Sequence, residues 1–479
     1  MNSAPERVAA VLLLVVGVLS CTRSSQTVDT ASERQWLAGD HHIHSRYSVG
    51  WDKSTDPPTP EIGGDAIYPI PMNALMARYH GLSWMVATDH GGPTHSKLNR
   101  DLAYPELVRS REAVPEVIQF YGLELNAPGA DHASLIIPHT PDESDRLFDL
   151  ESRFDRKEPW PPDGTWDTEA RMLEALKEMD TLSPKPVVIA NHPSRSASGL
   201  GVYGADSPEE LRDWNDTAPE VAVGMAGAPG HQASALNPDG SLREKARGSY
   251  KGAPTMGGFD QMTARLGGFW DSMLGEGRRW WITANSDSHV NWREGGADFW
   301  PGEYSKTYVW AARNHDDILD GLRHGRVFVT LGDLISELQV TARSGADSAE
   351  IGGSLKVNSG DDVEVVVRFL DPVGPNGGGG DPSVARVDLI VGEIEGPAAD
   401  RTIDTNPTTK VVARMTSADW QVEGEWRVMT CRLENLDSDR YLRIRGTNGT
   451  ELEPAEDPVG EDPWADLWFY SNPIFLEVD

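Results

Sequence analysis

The chain is poor in three things: cysteine, positive charge and long apolar runs. Two cysteines in 479 residues exclude a disulfide-stapled scaffold and a cysteine-rich zinc module. Lys and Arg number 43 against 75 Asp and Glu, giving a formal net charge of -32. So acidic a surface lacks the clustered cations that phosphate backbones require, which argues against a nucleic acid partner. The apolar run Val8 to Leu19 is too short to span a bilayer but has the length of a signal-peptide core. Two catalytic signatures are also missing. There is no G-x-S-x-G nucleophile elbow, and the glycine run Gly377 to Gly380 lacks the Lys and Ser/Thr of a phosphate loop.

What is present is the composition of a folded protein, 38% hydrophobic with 16 tryptophans, in a chain long enough for two or three domains. At the N-terminus, Val18-Leu19-Ser20-Cys21 resembles the lipobox of bacterial lipoproteins. That resemblance implies a signal peptide over residues 1–20, acylation of Cys21 and a tether over residues 21–34. The protein would then sit at the cell envelope facing the periplasm or exterior, touching the membrane through its N-terminal lipid anchor only. With Cys21 lipidated, Cys431 has no partner, so no disulfide is expected and Cys431 reads as a small hydrophobe on a strand.

From Gln35 onward, continuous apolar runs alternate with helical or loop stretches. The runs are Trp36 to His42, Leu82 to Thr88, Phe120 to Leu125, Ala133 to Ile137, Pro186 to Ala190, Val221 to Met225 and Arg279 to Ala284. Runs of this kind suit strands buried on both faces, and seven of them with helices between suggest a barrel of parallel strands over residues 35–337. Helices are expected over Asp167 to Met179, from Phe269, and over Asn314 to His324. Beyond about Leu338 no long helical pattern remains. Short alternating segments with Gly, Pro, Asn and Asp between them read as an antiparallel β-sandwich, residues 338–479, with Pro372 to Pro382 as a flexible loop.

The chain's 13 histidines are unevenly placed, and three fall in GDHHIHS, residues Gly39 to Ser45. On a strand His42 and His44 face the same way, and His41 faces the other. The ends of the following strands continue the theme with Asp89-His90, Glu124, Asp131-His132, Asn191-His192 and Asp287-x-His289. In a parallel barrel such ends share one face, so the groups converge whatever their separation in sequence. Six histidines with Glu124 and Asp287 exceed one tetrahedral ion, which points to two or three divalent ions.

The motifs Asp40-x-His42-x-His44-Ser45, Thr88-Asp89-His90, Gly122-x-Glu124, Asn191-His192-Pro193 and Ser286-Asp287-x-His289 resemble those of the polymerase and histidinol phosphatase (PHP) superfamily. Ile318 to Thr330 and Ser471-Asn472-Pro473-Ile474 further resemble its carbaryl-hydrolase-like (CehA/McbA) branch, which carries a C-terminal β-domain. The resemblance implies an α/β fold, a distorted (β/α)7 barrel followed by that β-sandwich. By position, His42, His44, Glu124 and Asp287 would hold one ion, and Glu124, His132 and His192 a second. His90 and His289 would hold a third, together with a residue normally five or six positions after the second histidine. That position falls at Val49 or Gly50, neither of which can ligate through its side chain. A binuclear centre with a weak third ion is therefore expected, with Asp52 the nearest substitute.

Imidazole and carboxylate ligands accept zinc, manganese or iron. Divalent ions so grouped suit hydrolysis of a small-molecule phosphate ester, or alternatively of a carbamate, amide or carboxylic ester. An amidohydrolase barrel also begins with His-x-His, but its bridging lysine has no counterpart here. A non-catalytic lipoprotein with a metal-stabilised barrel is the remaining alternative. Arg195 is the first candidate for holding the substrate, with Arg46 and Arg265 behind it, and His231 is a candidate general acid or extra ligand. Asp40 and Asp89 are expected just outside the metals, orienting imidazoles. Trp280, Trp281, Trp292 and Trp300 are candidates for a pocket wall.

Overall fold

Seven strands form a ring: β1 (Gln35–Ile43), β2 (Trp84–Ala87), β3 (Ile118–Asn126), β4 (His132–Ile137), β5 (Val187–Asn191), β6 (Ala222–Ala228) and β7 (Trp281–Ala284). Each lies on one of the seven apolar runs. Neighbours pair in chain order, and just past the ends of β7 and β1 the His44 amide donates to Ser288 O at 3.0 Å, bringing the last strand to the first. The computed structural model describes Met1, residues 33–245, Tyr250 and residues 255–479. Cys21, the signal peptide and the tether up to residue 32 lie outside the described residues.

The expectation of parallel strands throughout fails at β4, which runs antiparallel to both β3 and β5, whereas the other neighbouring pairs are parallel. The reason is the connection. Residues 127–131 alone separate β3 from β4, far short of the dozen or so that a parallel crossover needs. The reversal also brings the start of β4, rather than its end, to the face where the neighbouring strands finish.

Two further strands, β8 (Ser305–Ala311) and β9 (Val327–Leu331), extend the sheet antiparallel from β1. β9 then pairs with Trp468–Ser471, so the barrel's sheet continues into the C-terminal region across the boundary expected near residue 338. Among the described residues after 337 there is no α-helix. Five of the strands there form a separate antiparallel sheet, in which Val363–Leu370 buries Val363, Val365, Val367 and Phe369, while the rest join the larger sheet. The two sheets meet at Phe369 and Phe469, with ring centroids 6.3 Å apart. Pro372 to Pro382 contains no strand or helix. Cys431 lies half-buried on Trp426–Leu433, its Sγ 3.3 Å from Met415 Sδ.

Three expected helices form: α1 (Glu169–Thr181), α2 (Phe269–Gly275) and α3 (His315–Arg323). α1 buries Met172, Ala175, Leu176 and Met179, the face that the 3.6-residue period marks. Asn314 caps α3 by accepting from the Asp317 amide at 2.9 Å. Gly325 then stops it at φ 64°, against Trp281, where a Cβ would sit 2.3 Å from the ring. Trp280 and Trp281 are thus core residues at the start of β7. Trp292 and Trp300 are buried too, Trp292 donating to Glu303 and Trp300 packing on Tyr68. No helix of the described residues is long and apolar enough to cross a membrane.

The barrel and the C-terminal strands are joined by a fully buried ion pair. Arg443, on Arg440–Thr447, donates to both oxygens of Asp271 on α2, at 2.8 and 2.7 Å. Replacing Asp271 by Ala strands the guanidinium in the core and should cost about 3–5 kcal/mol in urea unfolding. A loss below about 1 kcal/mol would show that the pair contributes nothing.

Candidate metal centre

The site is built where β1, β2, β3, β5, β6 and β7 end and β4 begins. β1 delivers His42 and, one step beyond its end, His44, with their Nε2 atoms 2.9 Å apart. His41 turns away as the period of two requires. Its ring reaches the hydroxyls of Ser134 at 3.0 Å and Thr283 at 2.8 Å, on strands β4 and β7 that are not neighbours. β3 supplies Glu124, β4 opens with His132, and the turns after β5 and β7 supply His192, Asp287 and His289.

These donors fall into three overlapping groups, each with all its ligand atoms within 4.8 Å of one another: His42, His44, Glu124 and Asp287; Glu124, His132 and His192; and His44, His90 and His289. Glu124 Oε1 lies 3.0 Å from His42 Nε2, His132 Nδ1 and His192 Nε2 alike. Asp287 Oδ1 lies 3.2 Å from His42 Nε2 and 3.0 Å from His44 Nε2. Ligands 2.0–2.1 Å from a tetrahedral ion are about 3.3 Å apart, so this spacing fits donors that share an ion. His42 Nδ1, His90 Nδ1 and His192 Nδ1 are buried without hydrogen-bond partners.

Protonation follows from burial and the carboxylates. Burial, reinforced by the neighbouring His289, pushes His44 down to about 3, and burial takes His132 to about 4. Burial alone would raise Glu124 and Asp287. The surrounding imidazoles, His132 and His42 at Glu124 and His42 and His231 at Asp287, instead hold both well below the usual carboxylate range. Against burial, Asp287 and Glu124 keep His42 above its ordinary value, and a hydrogen bond to Asp65 together with the Asp287 charge raises His289 to about 10.

Neither Val49, Gly50 nor Asp52 brings a carboxylate to the third group of His44, His90 and His289. Asp52 points into a surface turn, accepting from the Ser54 amide at 2.8 Å. Instead Asp65 Oδ2 lies 3.0 Å from His90 Nε2 and 3.4 Å from His289 Nε2. A hairpin, Gly50–Asp52 with Thr59–Glu61, intervenes between the expected position and Asp65. It closes tightly because Gly50 and Gly64 lack side chains, a Cβ on Gly64 falling 2.7 Å from Gly50 N. Backbone bonds from Gly63 to Arg46 at 2.8 Å and from Ala66 to Ser48 at 3.3 Å then seat Asp65 against the turn that carries His44. Nothing in the local sequence marks Asp65 as a neighbour of these imidazoles.

Around the donors lies a supporting layer. Asp89 accepts from the Ser45 amide at 2.5 Å, the Ser45 hydroxyl at 2.7 Å and the Ser48 hydroxyl at 3.1 Å, and the Ser48 hydroxyl lies 2.8 Å from His44 Nδ1. Asp89 therefore fixes His44 through Ser48, leaving Nε2 toward the cluster. Asp40, raised to about 7 by burial, accepts from the backbone amides of His42 at 3.0 Å and Ser286 at 3.1 Å, orienting main chain and no ring. Asp298 accepts from the His289 amide at 3.0 Å, and Asp260 holds Ser194 beside His192. Neither acid had a sequence signal. His192, Asp287 and His231 adopt left-handed backbone, at φ 32°, 48° and 68°, a conformation that side chains tolerate where surrounding structure demands it.

His231 Nε2 lies 2.8 Å from Asp287 Oδ2, within the cluster's reach. Arg195 forms a two-pronged pair with Asp131, Nε donating at 3.0 Å, while its Nη2 lies 3.3 Å from His132 Nδ1. The structure does not bring the other two arginines in, for Arg46 pairs with Glu106 and Arg265 faces Asp404 at 3.6 Å.

No protein-family profile and no curated protein matches the sequence. Among solved structures, the chain is similar to Endonuclease Q, seen in complex with a 27-mer duplex substrate with an abasic lesion at the active site. The identity is 13%, the alignment covers 61% of this chain and 56% of that chain, and the TM-score is 0.29. So weak a likeness leaves the chemistry to this chain's own side chains.

Two outcomes are expected. Asp65→Ala should lower the bound divalent metal per chain, read by elemental analysis, whereas Asp52→Ala should not; equal content in both variants would remove Asp65 from the site. Metal uptake should strengthen as pH rises, because ions displace the protons that the carboxylates hold on His42 and His289. Calorimetry in two buffers of different ionisation enthalpy should show proton release, and equal heats would contradict it.

Proposed function

We propose that this chain is a metal-dependent hydrolase that uses two to three divalent ions, of zinc, manganese or iron, to cleave a small-molecule phosphate ester. The observation that carries this is donor sharing. His44 and Glu124 each belong to two of the three groups, so ions bound there would be close neighbours, as in enzymes that clamp both oxygens of a displacement. When bound, such ions activate water and polarise the substrate oxygen, so no protein nucleophile is required.

The chain's residues supply the rest. Glu124 and Asp287 contact the imidazoles and would offset the charge of bound ions. Arg195, its fork fixed by Asp131, sets a guanidinium at the edge of the cluster beside His132, where a phosphoryl oxygen would find it. His231, against Asp287, is placed to give a proton to a leaving group or to add a ligand. The PHP-like motif order, the CehA/McbA-like stretches and the C-terminal strands, taken as a sandwich, support assignment to that branch. The lipobox-like Cys21 supports attachment at the cell envelope, and the charge of -32 supports a small substrate over nucleic acid.

The test is turnover by the metal-loaded chain on phosphomonoesters, phosphodiesters, aryl carbamates and carboxylic esters. His42→Ala and Asp287→Ala should each lose more than the roughly 10- to 100-fold that removing an outer partner of a ligand costs. Cleavage of carbamates or esters alone would move the substrate class to that alternative. Metal binding without any turnover would favour a metal-stabilised binding protein.

A further inference from the structure

Beside the third donor group lies a cavity of about 390 Å³ whose lining includes Asp65 and His90. Its walls come from three segments far apart in sequence, the hairpin after β1, the turn after β2 and the loop that follows the helix Glu143–Phe154. Trp51 and Trp160 are the large side chains, with prolines between them. Trp51 lies against the Gly92 backbone, and Trp160 is anchored by its indole N–H on Asp56 at 2.7 Å. Lys53, Arg156 and Lys157 line the same space.

Three cations at one opening stand out on a chain that is 32 charges negative. They are not equivalent. Arg156 is committed to Ala130 O at 2.6 Å and to Asp167 at 3.2 Å, and Lys53 stands at the exposed tip of the hairpin. The Lys157 ammonium forms no ion pair among the described residues, for the neighbouring Asp155 accepts from Asn126 Nδ2 at 2.9 Å and from the Lys157 backbone amide at 2.8 Å. This lysine lines the same cavity as Asp65 and His90, which sets it beside the third donor group. Lys157 is exposed to the cavity it lines, so its ammonium is free to meet an anionic ligand there, whereas a neutral carbamate would leave it unmatched.

We propose that this cavity binds the substrate, that Lys157 holds its anionic group beside the metal centre, and that Trp51 and Trp160 flank a flat ring, making the substrate an aryl phosphate monoester. The proposal rests on the hydrolase reading for the fate of the ligand but not for its binding. Stacking between indoles favours an aromatic ring over an alkyl chain, and a charge-assisted contact fixes the phosphoryl end. Lys157 is a substrate-binding residue here, distinct from Arg195, whose guanidinium lies beside His132.

The experiment measures binding of phenylphosphonate and methylphosphonate, which cannot be hydrolysed, to the metal-loaded full chain by calorimetry. Phenylphosphonate should bind more tightly than methylphosphonate. Lys157→Gln should weaken both by roughly tenfold to a hundredfold, the range for losing a charged hydrogen bond, with bound metal unchanged. Trp160→Ala should erase the preference for the phenyl compound while leaving methylphosphonate affinity as it was. Equal affinity of the two ligands, or wild-type affinity in Lys157→Gln with full metal content, would overturn the proposal. Binding as expected without turnover of phenyl phosphate would leave the cavity assignment standing and count against the hydrolase.

Discussion

Everything at this site is arranged around one buried carboxylate. Glu124 has five imidazoles within 3.9 Å, those of His42 and His132 on strands and of His44, His90 and His192 just past strand ends. Crowding of this kind is tolerated in a buried space only with charge of the opposite sign between the groups, which the protons on His42 and His289 supply and which metal ions would supply in their place. The barrel does not relieve this crowding. It enforces it, by fixing the strand ends rigidly and by holding His192, His231 and Asp287 in left-handed backbone. Local cost of this kind persists where the surrounding fold overdetermines the conformation.

The ring of seven strands was legible because each apolar run is continuous, and the clustering of these imidazoles and carboxylates was legible because each sits at the edge of such a run. The direction of β4 was not read, although the short link over residues 127–131 carried the information. β8 and β9 were missed because Ser305–Ala311 and Val327–Leu331 flank a capped helix whose pattern dominated that stretch. Asp65 escaped for a different reason. Ligand spacing along a chain is informative only while the loop between ligands keeps its length, and a hairpin here adds a detour that costs little in closure entropy. Its return is secured by backbone bonds and two glycines, which sequence spacing does not encode.

The tryptophans divide in an instructive way. Adjacency to a site-bearing strand suggested Trp280 and Trp281 as pocket walls, yet they lie at the start of β7, the end away from the donors, and fill core. Trp51 and Trp160, from loops at the correct end, line the cavity instead. In a barrel, which end of a strand a residue occupies matters more than its distance in sequence from a ligand.

The pairing of β9 with Trp468–Ser471 bears on how the molecule is made. During synthesis the barrel strands emerge first, but the open edge of β9 stays uncovered until a strand that begins at residue 468 arrives. An exposed edge is a template for pairing with other chains. The nascent protein therefore carries a sticky margin through the making of its last third, and the C-terminal region serves, besides any other role, as the cover that retires it.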